Sequence, residues 1–193
     1  ASGAGLCQGQ VLCRTRVVDR DKLRALAGRD DLKQSDLDQI TCAEGQKGEI
    51  LVAGPHVVQS YLDGEGDLGT KFCFDGEVYH ATGDAGYFDQ DNLYLCGRAV
   101  YKSSLASECY PLEIEALALT DEAVQMSAYL EEKGQSYLFV SAVNKDKDAA
   151  LELSQPLLDY VASKNIKLRL RQNLPLDKRH NSKVLYEKLR LSI

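Results

Sequence analysis

No stretch of this 193-residue chain approaches the roughly 18 consecutive apolar residues of a membrane span. None of its six cysteines forms a C-x-x-C pair, which argues against a zinc knuckle or a thioredoxin-like site. His56, His80 and His180 lie far apart and share no metal-ligand spacing. Ala1 to Gly5 lack the basic-then-apolar layout of a secretory signal and read as an internal cut or a cloning remnant. There is no internal repeat and no low-complexity segment. What is present is ordinary for a folded domain. The apolar fraction is 44% and the charged fraction 27%, which excludes a disordered, collagen-like or coiled-coil chain. The length allows one domain or two small ones.

Charge is unevenly placed. Residues 1–160 carry 14 basic and 27 acidic side chains, whereas residues 161–193 carry 9 and 2. A basic tail on an acidic body suggests an anionic ligand near the tail, an inter-domain contact, or simply a solvated basic helix. Nucleic acid is not expected as a partner. The tail offers only Tyr160 and Tyr186 for stacking, and the acidic body would repel a phosphate backbone. Cys7, Cys13, Cys42, Cys73, Cys96 and Cys109 sit mostly among apolar neighbours, as buried free thiols do. This points to a reducing, cytoplasmic setting.

Residues 6–19 read as strand, and residues 20–44 as a helical or looped insertion with Leu23, Leu26, Leu32 and Leu37 in helical spacing. Short strands are expected at 48–54, 71–74, 77–81 and 93–96, with turns at Asp75-Gly76 and Asp89 to Asn92. Beyond residue 98 the pattern changes. Pro111 opens a helix, strands follow near 123–130 and 136–143, and a helix is expected over 147–164, kinked or divided by Pro156. A strand at 166–170 and a helix from about 182 complete the chain. The expected fold class is α+β: a β-rich distorted-barrel subdomain over 1–98, then a small α+β domain over 99–193.

Four segments carry chemistry. They are Gly48-Glu49-Ile50 to Gly54-Pro55 and Tyr61-Leu62; Thr82-Gly83-Asp84; Gly97-Arg98 with Tyr110-Pro111-Leu112-Glu113-Ile114-Glu115; and Leu174-Pro175-Leu176-Asp177 to Asn181-Ser182-Lys183. A carboxylate at Asp84 on a glycine-softened turn can accept hydrogen bonds from the two hydroxyls of a ribose; it can equally be a plain turn. Arg98 ends a strand and can be a simple surface arginine. Lys183 is a compact charge on a long stem, suited to anchoring a carboxylate and a phosphate together, or one more solvated lysine in a basic tail. Glu113 and Glu115 open a helix, where acids are favoured by its dipole, and read as structural.

In this order and at this spacing, the four segments resemble the C-terminal third of the acyl-adenylate-forming enzymes. That is the AMP-dependent synthetase and ligase, or acyl-CoA synthetase, superfamily, which includes luciferases and the adenylation domains of peptide synthetases. The resemblance runs from about residue 5 to residue 190. It implies that Thr82, Asp84 and Arg98 contact the ribose of ATP and AMP, that Lys183 is the catalytic lysine, and that residues 99–193 form a mobile lid. It further implies activation of a carboxylic acid, with fatty acids among the candidates, by ATP and Mg2+, followed by transfer to a thiol of CoA or a carrier protein. The stretch Arg179-His180-Asn181-Ser182-Lys183 looks like an Arg-His-Asn-x-Lys variant of fatty-acyl and olefin-pathway adenylating ligases. His180 is read as local structure there.

Two departures bear on this. The hinge position of the family, two beyond the arginine, is typically Asp or Lys and here is Val100. The loop before Tyr110 usually carries glycines that let backbone approach the acceptor thiol. Ser104-Leu105-Ala106-Ser107 has none, which puts the thioester step in doubt. The family's phosphate-binding loop and its adenine-binding Thr-Glu segment do not occur in the sequence. A missing upstream nucleotide-binding domain is therefore expected, with the 193 residues inactive alone. The rival expectation is a non-catalytic, stand-alone module of the same fold that binds a partner.

Overall fold

The computed structural model describes residues 5–103, 109–143, 153–177 and 184–193. The chain divides into two compact units between Tyr101 and Lys102.

The first unit is built on strands β1 (Leu6–Gln10), β2 (Arg14–Val18), β3 (Gly48–Ala53), β4 (Lys71–Phe74), β5 (Glu77–Asp89) and β6 (Asn92–Arg98). They form one antiparallel sheet in the order β1-β6-β5-β3-β2, with β4 also on β5. The expected 6–19 strand is thus two strands at opposite ends of the sheet. β5 is its spine. One edge pairs with β3, and the other pairs first with β4 and then with β6. To serve both partners β5 must bend, and it does so where Gly83 takes φ 73 and the register with β6 shifts between Ala85 and Gly86. The result is a curled half-barrel. The hairpin between β4 and β5 turns on Asp75 (φ 47) and Gly76 (φ 85), the positive pair that an Asp-Gly turn supplies cheaply.

The 20–44 insertion holds α1 (Arg20–Ala25) and α2 (Gln34–Ile40). Asp19 caps α1 by accepting from the Asp21 and Lys22 amides at 3.0 and 3.1 Å. Leu23, Leu32, Leu37 and Ile40 pack with Val18, Leu51, Phe72, Phe74 and Tyr79 on one face of the sheet. Val17, Ile50 and Leu93 pack on the other. β3, covered on both sides, reads accordingly as an apolar run from Ile50 to Ala53 after the buried Glu49.

The second unit contains α3 (Pro111–Ala118), β7 (Val124–Glu132), β8 (Gln135–Ala142), α4 (Gln155–Ser163), β9 (Ile166–Arg171) and α5 (Tyr186–Arg190). β7 and β8 form a hairpin through Lys133 and Gly134, both at positive φ, and β9 joins β8 in parallel after α4. Ile114, Ala118, Leu138, Val140, Leu157 and Val161 form the core on one face. Leu130, Phe139, Leu174 and Leu189 form it on the other. No helix among the described residues is long and apolar enough to cross a membrane.

Three sequence expectations are corrected here. Pro156 does not kink a helix: α4 begins at Gln155, with Pro156 in the first turn where its missing N–H costs nothing. Its apolar face uses Leu157 and Val161, whereas Leu158 is exposed; Leu151 lies outside the described residues. The cysteines are not mostly buried. None of the six is in a disulfide, but only Cys96 is fully buried; Cys7 is exposed on β1, whose residues are almost all exposed, and Cys73 takes the water-facing position between buried Phe72 and Phe74 on β4.

Candidate functional site

The Thr82-Gly83-Asp84 segment lies within β5 and not on a turn after a strand, because the bend is absorbed by one left-handed glycine without ending the ladder. This places Asp84 directly opposite Arg98 across the β5–β6 pair. The Arg98 Nη1 donates to Asp84 Oδ1 at 2.8 Å and to the Thr82 carbonyl at 3.3 Å. The Thr82 hydroxyl donates to the Ile50 carbonyl on β3 at 3.0 Å and accepts from the Asp84 amide at 3.1 Å. Thr82 therefore ties the bend to the neighbouring strand, and Gly83 makes room: a Cβ there would stand 3.0 Å from Arg98 Nη2. Three sequence-predicted site residues are thus brought into one cluster.

The cluster is open to water. The side chains of Arg98 and Asp84 are 58% and 34% exposed. An exposed ion pair contributes about 0–1 kcal/mol, so stability alone does not account for the geometry. Chemically, the site sets a carboxylate acceptor and a guanidinium donor side by side at the sheet surface. That pair fits a vicinal diol, whose hydroxyls both donate and accept. Val100 follows in a short turn and is exposed, with no charge to offer as a latch.

Lys183 lies outside the described residues, together with Ser104 to Ser107, Arg179, His180, Asn181 and Ser182. The residues flanking its segment are described. Leu176 and Val184 form an antiparallel bridge, and the Leu185 amide donates to the Pro175 carbonyl at 2.8 Å. The Ser103 amide donates to the Cys109 carbonyl at 2.8 Å.

Glu113 and Glu115 read alike in the sequence as acids opening a helix, and the structure separates them. Glu113 caps α3 by accepting from the Tyr110 amide at 2.8 Å. Glu115 reaches away from its helix. Its Oε1 accepts from the Tyr129 amide of β7 and from the Tyr186 hydroxyl of α5, both at 2.8 Å. Burial pushes the Glu115 carboxyl above the ordinary glutamate range, against the lowering effect of those two donors. No signal in the sequence could have found this role, because its partners are 14 and 71 residues away. Because the folded-state pKa is raised, Glu115 contributes stability that is fully present below the ordinary pKa of 4.5 and lost as pH rises through the folded value. We expect the thermal midpoint of Glu115→Gln, relative to wild type, to rise between pH 4 and 7. A flat difference over that window would show that the two donors offset the burial completely.

No family model matches the chain. At the sequence level it is 31% identical over 206 residues to the olefin beta-lactone synthetase of Stenotrophomonas maltophilia, covering 97% of this chain and 36% of the relative. It is 29% identical over 147 residues to the D-alanine–D-alanyl carrier protein ligase of Bacillus cytotoxicus, covering 72% of this chain and 27% of that protein. The fold is that of the corresponding parts of apo MatB from Rhodopseudomonas palustris (TM-score 0.66, 21% identity, 100% of this chain and 36% of that one) and of the O-succinylbenzoate coenzyme A synthetase MenE from Bacillus subtilis in complex with AMP (TM-score 0.61, 24% identity, 92% and 33%). The chain spans about a third of the length of these proteins.

Proposed function

Since this chain belongs to the AMP-forming acyl-CoA synthetase superfamily and matches its C-terminal portion, we propose that it acts as part of a ligase. The ligase would activate a carboxylic acid with ATP to an acyl-adenylate and pyrophosphate, and pass the acyl group to a thiol of CoA or a carrier protein. The observation that carries this reading is the Asp84–Arg98–Thr82 cluster, placed by a bulged strand at the sheet surface with donor and acceptor side by side. Asp84 accepts from the ribose hydroxyls, Arg98 orients Asp84 and donates beside it, and Thr82 holds the bend that presents both. In the adenylation step an oxygen of the acid's carboxylate bonds to the α-phosphorus and the bond to pyrophosphate breaks. Negative charge builds on the phosphoryl oxygens, and Lys183 stabilises it. Mg2+ accompanies the triphosphate, with no residue of the described set assigned to it.

The phosphate-binding loop, the adenine contacts and the acyl pocket are supplied on this reading by the other two thirds of the polypeptide, so the 193 residues alone release no pyrophosphate. Residues 1–98 complete the nucleotide-binding body and residues 99–193 form the mobile lid. The relative named for olefin β-lactone synthesis supports an olefin-pathway substrate, and the Arg179 to Lys183 pattern a fatty-acyl or olefin-pathway one. The free thiols support a cytoplasmic setting.

The test is pyrophosphate release with ATP and a panel of fatty acids, measured for the chain alone and for the polypeptide carrying its nucleotide-binding body. Release only by the latter is expected; turnover by the 193 residues alone would sink the division of labour. In the active protein, Asp84→Asn should raise the KM for ATP and the Kd for AMP about tenfold, the size of a lost hydrogen bond to a charged group, with little change in kcat. Unchanged AMP affinity would leave the cluster without its proposed ligand. It would favour the rival reading, a non-catalytic module of this fold that binds a partner.

A further inference from the structure

Most of the basic residues in 161–193 have no part in the proposed chemistry, and three of them lie on β9. The strand reads Ile-Lys-Leu-Arg-Leu-Arg, apolar and cationic in alternation, and a strand sends alternate side chains to opposite faces. Lys167, Arg169 and Arg171 therefore share one face. The Lys167 ammonium and the Arg169 guanidinium stand 5.9 and 5.6 Å from the centre of the Tyr137 ring on β8, and the Arg171 guanidinium 5.6 Å from that of Phe139. These ring seats hold three cations in a row at intervals of about 6.6 Å. Arg171 also donates to the hydroxyl and the carbonyl of Ser192. Among the described residues none of the three has a carboxylate partner. On the opposite face Leu168 packs on the core beneath α4, and Leu170 is 54% exposed. Between the two faces runs an open edge. β9 ends the order β7-β8-β9 and pairs with β8 alone among the described residues. In a parallel pair only alternate residues bond to the neighbour, so the remaining amides and carbonyls of β9 point outward along about 20 Å of strand.

We propose that this edge is a docking site for an extended segment of a partner protein, one with acidic side chains at alternate positions and apolar side chains between them. Added as a fourth strand, such a segment pairs with the outward amides and carbonyls of β9. Its carboxylates then stand opposite Lys167, Arg169 and Arg171, and its apolar side chains cover Leu170. The proposal depends on β9 alone and stands apart from the adenylation reading. The bland alternative is that the cations guard an edge strand against aggregation, a common use of charge there. Guarding accounts for the charges, but not for the exposed Leu170 beside them or for the ring seats that keep them in register. A second copy of this chain is a poor occupant, since β9 against β9 sets cations opposite cations.

The probe is a short synthetic peptide of alternating Glu and Val, titrated into the 193-residue chain at low salt and followed by amide hydrogen exchange. At saturation, the β9 amides that are not bonded to β8 should exchange about tenfold more slowly, in an every-other-residue pattern, while Leu138 in the middle of the sheet is unchanged. Replacing Glu by Gln in the peptide should weaken binding about tenfold, and this comparison needs no variant of the protein. Arg169→Glu should weaken it as much, and a peptide whose central Glu is replaced by Lys should recover the loss. Absence of binding overturns the proposal. So does binding without alternate protection along β9, which marks charge attraction and no added strand. Tighter binding of a helical acidic peptide, of phosphatidylserine vesicles or of single-stranded RNA overturns it as well, and assigns the stripe to that partner instead.

Discussion

Lys183→Ala, made in the polypeptide that carries the nucleotide-binding body, is expected to slow acid-dependent pyrophosphate release by about a hundred- to a thousandfold, the loss that follows removal of one preorganised charge-stabilising donor. The expected signature is in kcat, with the KM for ATP little changed, because the charge that Lys183 meets develops only as the carboxylate attacks the α-phosphorus. Asp84→Asn should behave oppositely, weakening nucleotide binding and sparing the chemical step. The two variants therefore test nucleotide binding and the chemical step separately. Lys183→Arg should recover little: a planar fork does not reproduce a point charge held between a carboxylate and a phosphate. Wild-type kcat in Lys183→Ala would sink the catalytic assignment and leave a binding module as the better account.

The cluster around Asp84 was legible in the sequence as a set of residues but not as a geometry. Thr82, Asp84 and Arg98 carry a motif that side-chain chemistry makes readable, since a carboxylate and a guanidinium at this spacing suit a diol. That they sit inside one long strand was hidden. Gly83 reads as a turn residue, and only the three-way pairing of β5 with β3, β4 and β6 turns it into a bend that the ladder survives. The same kind of long-range fact decides Pro156. By local rules it breaks a helix; in the structure it begins one, because Ser154 is fixed by its amide donating to Asp121 at 2.7 Å. Turns with a local cause were legible outright, as at Asp75-Gly76. Glu115 illustrates the remaining gap. Its helix position is readable, but its partners Tyr129 and Tyr186 are 14 and 71 residues away, and no local pattern encodes that meeting.

The second large effect is expected at the buried charge of the first unit. Glu49 on β3 is fully buried. Arg24 Nη2 on α1 donates to both of its carboxylate oxygens, at 2.8 and 3.1 Å, while Arg20 Nε stands 3.3 Å away without hydrogen-bond geometry. Arg24 Nη1 also donates to the Gly69 carbonyl, so one guanidinium pins both the 60s loop and α1 to the sheet. Space here is tight: a Cβ on Gly48 would lie 2.2 Å from the Val18 carbonyl oxygen, so β3 has nowhere to shift. The two partners are not equivalent. The arginine side chains are 35% and 37% exposed and can reach water if the carboxylate is removed, whereas Glu49 cannot. Arg24→Ala should therefore be the costlier change, about 3 kcal/mol. That is the lower end for breaking a buried pair, because Arg20 still faces the carboxylate and Arg24 is partly screened by solvent. For a unit of this size the midpoint of thermal unfolding falls by roughly 10–20 °C. Glu49→Leu should cost less, and Arg24→Met combined with Glu49→Leu should return close to wild type, since apolar packing can replace a buried pair that loses as much to desolvation as it gains from attraction. Unfolding of the four proteins by urea, followed in the first unit, decides it. If Glu49→Leu costs as much as Arg24→Ala, the cost lies in the lost contact and not in the stranded charge. Because the Ile50 carbonyl next to Glu49 holds the Thr82 hydroxyl, Arg24→Ala should also weaken AMP binding at temperatures where the unit is still folded. This would tie the nucleotide cluster's geometry to a charge that never meets the nucleotide.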